Sequence, residues 1–158
     1  MKKKIGYVIL IIIAIIAIAT GVYFFVTQKN KEVNIDLQQL NTTISEKAPF
    51  NEMSTTDITT ETLTALYEID AQDIEEVIGK MPLINVQASM YLVIKAKENS
   101  IDTVKSKVDQ YALAQEEMWA RYLPDQYELV MQRKTGVKGN YVYLFISENA
   151  AELEALIK

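Results

Sequence analysis

Tyr141-Val142-Tyr143-Leu144-Phe145-Ile146 is an unbroken β-branched and aromatic run. Gly136-Val137-Lys138-Gly139-Asn140 precedes it and Ser147-Glu148-Asn149 follows it. Such a run between turn residues predicts a strand, hairpin-paired across the glycines with residues near Met131 to Thr135. Met90-Tyr91-Leu92-Val93-Ile94-Lys95-Ala96 has the same character and predicts a second, mostly buried strand. Between the two lies a segment of a different period. Ile101, Val104, Val108, Tyr111, Met118 and Tyr122 fall on one stripe in steps of three and four, with Gln115 as its polar exception. This predicts a helix from Ile101 to about Tyr122, opened by Asn99-Ser100 and ended by Pro124. At about 1.5 Å per residue it is about 33 Å long, enough to cross a whole sheet. The segment Asp125 to Met131 reads equally as one helical turn or the start of a strand. Strands interleaved with helices give an α+β fold, with a small sheet of three or more strands and helices packed on it.

Outward from this centre the pattern is helical. Leu37, Leu40 and Ile44 predict a helix over about Ile35 to Lys47, stopped by Pro49. Phe50 and Met53 read as core anchors, and Asn51 to Thr60 as a loop. Thr60 caps a predicted short helix carrying Leu63, Leu66 and Tyr67. Asp70 caps another, with Ile74, Val77 and Ile78 inward and Gly79 at its C′ position. A last helix begins at Ser147-Glu148-Asn149 and carries Leu153, Leu156 and Ile157.

Residues 5–26, Ile5 to Val26, are uncharged throughout. As a helix they cover about 33 Å, matching a hydrocarbon core of about 30 Å. Tyr7 and Tyr23-Phe24-Phe25 stand near the two ends, where aromatic rings sit at the headgroup level. Lys2, Lys3 and Lys4 precede the span. The positive-inside rule then leaves residues 1–4 in the cytoplasm and carries everything beyond the span outside. Residues 27–33 read as a linker and 34–158 as the extracytoplasmic domain. The rival reading is a cleaved signal peptide, since Ala17-Ile18-Ala19 has the small-x-small form. Cleavage there leaves an apolar stub, and the run exceeds a signal h-region, so a retained signal-anchor is the expectation.

The 158-residue chain has a formal net charge of −5 and contains neither histidine nor cysteine. Their absence excludes Ser-His-Asp and Cys-His catalysis, disulfides, and metal sites built on His or Cys. All 21 acidic residues lie beyond the apolar span, while three of the 16 basic ones precede it. An outer domain so acidic has no basic patch to neutralise phosphates, so neither nucleic acid nor an anionic surface is an expected partner. Glu75-Glu76 and Glu116-Glu117, placed on helices, diverge by about 100° and form no catalytic dyad. Ser100 and Ser147 read as caps, and no Ser-x-x-Lys pattern occurs. No cofactor and no metal are expected. One constellation stands out: Trp119, Arg121, Tyr122 and Tyr127, since aromatics with Arg are enriched at contact surfaces. The competing reading is that these aromatics plug the end of the long helix against the sheet.

Several runs taken in order resemble a known family. They are Leu66-Tyr67-Glu68-Ile69-Asp70, Asp73 to Pro82, Asn85-Val86-Gln87-Ala88, Trp119-x-x-Tyr122-Leu123-Pro124-Asp125-Gln126-Tyr127, and Gly139-Asn140-Tyr141-Val142. They resemble the domain of unknown function 4358 family, extracytoplasmic domains of Gram-positive membrane proteins and lipoproteins. This chain departs in having a helix for an anchor, and Met90 where an acidic residue is more usual. The resemblance implies an envelope location and a fold, and brings no catalytic residue. The expected function is a single-pass, non-enzymatic module that contacts another envelope protein. A cell-wall glycan or peptide binder is the alternative, and an unrecognised hydrolase the third reading.

Overall fold

The structure, a computed structural model, describes residues 33–47 and 49–157. Its elements in chain order are α1 (Leu37–Ser45), β1 (Thr55–Asp57), α2 (Thr60–Tyr67), a 3₁₀ turn (Ala71–Asp73), β2 (Ile74–Pro82) and β3 (Met90–Ala96). There follow α3 (Ile101–Trp119), α4 (Pro124–Met131), β4 (Lys134–Lys138), β5 (Tyr141–Ile146) and α5 (Ala150–Glu154). The strands form one five-stranded sheet in the order β1-β2-β3-β5-β4, every neighbour antiparallel. This is the α+β class the sequence predicts, with two more strands than its minimum.

Helices cover both faces of the sheet. On one face Met90, Leu92, Ile94 and Ala96 of β3 and Val142, Leu144 and Ile146 of β5 pack with residues of α2, α3 and α4. On the other, Tyr91, Val93, Tyr141, Tyr143 and Phe145 pack with α1 and α5. The two central strands are therefore buried on both sides, which is why their sequences are apolar without alternation. Met90 is one of these core residues and is 3% exposed.

Residues 74–82 are a strand and not the helix expected from Ile74, Val77 and Ile78. The misreading has a specific cause. Ile74 pairs with Ala96 but Glu76 pairs with Lys95, so Glu75 is an extra residue in a bulge. The bulge places Ile74 and Val77 against the same core and Ile78 against the other. A strand thereby acquires a helix-like three-residue step. Asp70 does cap, but it caps only the 3₁₀ turn, accepting from the Gln72 amide at 3.1 Å. Gly79 is a strand residue opposite Leu92, and a Cβ on it would fall 2.6 Å from the Tyr91 carbonyl oxygen.

Other boundaries also move. The expected loop over 51–60 contains β1, and the cap of α2 is Thr59, whose hydroxyl accepts from Thr62 N at 3.4 Å. Leu66 is exposed on α2 instead of facing inward. Asp125 to Met131 resolves as helix, with Pro124 in its first turn, where the missing N–H costs nothing. Gly136 to Lys138 belong to β4, so the hairpin turn is reduced to Gly139-Asn140, and Gly139 takes φ +60°. The last helix starts at Ala150, after Asn149.

The chain enters this fold at one end of the sheet. The Tyr141 hydroxyl accepts from Ile35 N at 3.1 Å, and Val33 lies against Gly139. The C-terminal end of β3 is here too, with Ala96 N donating to Asn140 O at 2.9 Å. From this end α3 runs back along the sheet, carrying Trp119 to the opposite end.

Candidate functional site

A cleft of about 680 Å³ lies at the C-terminal end of α3. Asn85, Ala114, Glu117, Met118, Trp119, Arg121 and Tyr122 line it. Three of the four residues singled out in the sequence, Trp119, Arg121 and Tyr122, are therefore brought together. Tyr127 is not in the cleft; it is half-buried against the core beneath α4.

The apolar stripe of α3 decides which ring is floor and which is wall. Val104, Val108, Ala112 and Trp119 are its buried positions. Met118 and Tyr122, expected on that stripe, are 44% and 61% exposed. A helix of 3.6 residues per turn carries the core-facing line from Val108 through Ala112 to Trp119, and Met118 and Tyr122 turn outward into the cleft. Trp119 is 2% exposed, and its indole Nε1 donates to Gln115 Oε1 at 3.2 Å. Beyond α3 the chain bends sharply. The Trp119 carbonyl accepts from both Tyr122 N (3.1 Å) and Leu123 N (3.2 Å). This turn sets the Tyr122 ring 6.0 Å from the indole at 50°. The opposite wall is the β2–β3 loop, fixed by a bond from Ala88 N to Gln126 Oε1 at 2.8 Å. Leu83, Ile84 and Val86 of that loop are all exposed.

The Arg121 guanidinium makes no hydrogen bond or ion pair with any described residue, whereas that of Arg133, just beyond the next helix, is held by Glu116 at 2.9 Å. The cleft thus offers a free guanidinium, an exposed phenol ring and a thioether, over an immobilised indole.

A smaller cleft of about 170 Å³ lies between α2 and α3, lined by Leu66, Tyr67, Glu68, Lys107, Gln110, Tyr111 and Ala114. Tyr67 and Tyr111 stack at 3.8 Å. Burial first, and the neighbouring Tyr111 second, push the Tyr67 hydroxyl well above the ordinary tyrosine range. Glu68 closes α2 in the left-handed conformation, φ 54°. Its carboxylate accepts from Lys107 Nζ at 2.8 Å, which holds it below the usual carboxylate range.

The carboxylates and serines weighed as chemistry are occupied, except Glu117, which lines the cleft. Glu75 pairs with Lys95 at 2.9 Å, and Glu76 accepts from Gln38 Nε2 at 3.2 Å. Ser100 stands at the N-cap of α3 but does not cap with its side chain; its hydroxyl donates to Asp73 Oδ1 at 2.6 Å. The Ser147 hydroxyl is bonded to Asn149 Oδ1, and Asn149 is the N-cap of α5. The positions that concern the anchor, Lys2, Lys3, Lys4, Tyr7, Tyr23, Phe24 and Phe25, lie outside the described residues. Among the described residues no helix is long and apolar enough to cross a membrane, and no group of three or more acidic residues is placed to hold a metal.

Sequence reasoning missed Asn85, Ala114, Glu117 and Met118. Only Met118 carried a signal, as an apolar residue one position from the true stripe. In comparisons with known proteins, the family model described as Domain of unknown function (DUF4358) matches residues 48–147. That span contains the sheet and α2 to α4, with both clefts. No curated protein and no solved structure matches the chain.

Proposed function

We propose, for a chain that belongs to the DUF4358 family, that it is a non-enzymatic protein-interaction module of the cell envelope. The observation that carries this reading is the cleft in which Arg121 and Tyr122 stand exposed over the buried Trp119. Tyr, Trp and Arg dominate binding energy at protein interfaces. The exposed Leu83, Ile84 and Val86 extend an apolar rim beside it. The uncharged run over residues 5–26, with Lys2, Lys3 and Lys4 before it, supports a bilayer anchor with the domain outside. The partner is then another membrane or secreted protein.

The test is photo-crosslinking of the full-length protein in intact cells, with the reactive group at position 122. One recurrent envelope protein is the expected capture. Capture lost on moving the group to Glu98, an exposed position at the opposite end of the sheet, assigns the contact to the cleft. Background alone from both positions overturns the reading. Orientation is tested separately: protease added to wall-stripped cells should remove the domain, and full protection until lysis reverses the topology.

A second reading draws on the exposed Tyr122 ring beside Asn85 and Glu117, the aromatic-plus-polar pairing of a sugar platform. On that reading the protein is a cell-wall glycan or peptide binder. It predicts co-sedimentation with purified wall material, lost in Tyr122→Ala.

A further inference from the structure

We propose that the two clefts are one groove along α3, and that its occupant is an extended peptide segment of the partner protein, with a single carboxylate resting on Arg121. This inference rests on the interaction reading above and deepens it. Ala114 lines both clefts, so no wall of another residue type divides them at that point. From Lys107 to Trp119 the helix rises about 18 Å at 1.5 Å per residue. That length matches five or six residues of extended chain at about 3.3 Å each. The narrow half, about 170 Å³, is too small for a helix about 10 Å across.

The chemistry along the groove changes with position. Leu66 and Met118 offer exposed apolar contacts, and the stacked Tyr67 and Tyr111 rings form the floor of the narrow half. The Tyr67 hydroxyl is sealed from solvent, so this residue offers a bound segment its ring and not a polar contact. A sugar needs polar partners along its whole length, whereas here charge is confined to the ends. At the far end Glu68 and Lys107 neutralise each other. At the near end the Arg121 guanidinium has no partner among the described residues, with Glu117 one turn before it. A guanidinium binds carboxylate as a two-pronged donor. Glu117 repels a second acid, so the fitting segment carries one acid and not an acidic run.

The test uses the full-length chain in lipid nanodiscs and a displayed library of random seven-residue peptides. Enriched sequences are synthesised and titrated by the fluorescence of Trp119, the single tryptophan of the chain. Enriched peptides should share one acidic position. Ala114→Phe, at an exposed site that leaves the fold intact, and Arg121→Ala should each weaken binding by about tenfold or more. Photoreactive groups at positions 66 and 122 should mark opposite ends of the same peptide. Labelling from position 122 alone, with Ala114→Phe and Leu66→Ser both without effect, overturns the groove and leaves the cleft reading standing. Enrichment of no peptide, or selective capture of a wall fragment or a second copy of this chain, overturns the peptide assignment.

Discussion

The indole nitrogen of Trp119 donates to Gln115 Oε1 across 3.2 Å, one turn back on the same helix. Gln115 is the one polar residue in the expected apolar stripe of α3, and this bond is its physical reason. A buried indole needs an acceptor, and a residue four positions earlier is within reach. Gln115→Leu leaves that donor unsatisfied. The expected loss is about 1–3 kcal/mol in urea unfolding, with a shifted Trp119 emission. Unchanged stability and emission would show that the bond does not hold the ring.

Trp119 and its neighbours should separate on mutation. Trp119→Ala empties a buried site and should cost about 3–5 kcal/mol. Arg121→Ala and Tyr122→Ala alter exposed side chains and should stay within about 0.5 kcal/mol of the parent. Both should nonetheless weaken association with the captured partner. Loss of fold in Arg121→Ala would return the cluster to a purely structural role.

Gly79 is required by closeness and not by its backbone angle. Its absent Cβ would meet the Tyr91 carbonyl oxygen at 2.6 Å and Ile58 Cδ1 at 3.1 Å. The first neighbour is main chain in a central strand and has little freedom to yield. Gly79→Ala should therefore destabilise by about 1–3 kcal/mol, read by thermal unfolding. A neutral result would mean that β1 and β2 shift together to admit the methyl group.

Alkaline pH should unfold the domain through its buried phenols. The Tyr143 hydroxyl donates to Glu154 Oε1 at 2.9 Å; burial and then that carboxylate push it up to about 12. Tyr67 and Tyr91 are raised as well, chiefly by burial. A folded pKa above the unfolded value of about 10 gives stability that is complete below pH ~10. It is lost as pH rises from there through about 12. Tyrosinate absorbance and far-UV circular dichroism should thus change together in that window, and Tyr143→Phe should make the loss less steep. Ionisation of these phenols with the dichroism intact would refute the coupling.

The fold was legible where burial leaves a compositional trace. Runs such as Leu92-Val93-Ile94 and Leu144-Phe145-Ile146 need no tertiary knowledge to be read as strands. Residues 74–82 needed it, because the insertion of Glu75 depends on a partner strand that local sequence does not display. The cleft divides in the same way. Trp119, Arg121 and Tyr122 are neighbours in the chain, so their grouping could be seen. Asn85 reaches them only through the fold, and Tyr127, close in sequence, is carried away when Pro124 starts a new helix.

The strand order also implies a sequence of events during folding. Two of its pairings, β2 with β3 and β4 with β5, are between consecutive strands joined without an intervening helix. Such hairpins close quickly. The seam between β3 and β5 is different, because α3, α4 and β4 all lie between its halves. It pairs Met90 with Ile146 and Lys95 with Tyr141 only after that long segment has been looped out. Zipping this seam joins the two hairpin halves and completes both cores at once, so its closure is the expected rate-limiting step of folding. Its amides should then exchange with deuterium only when the whole domain opens.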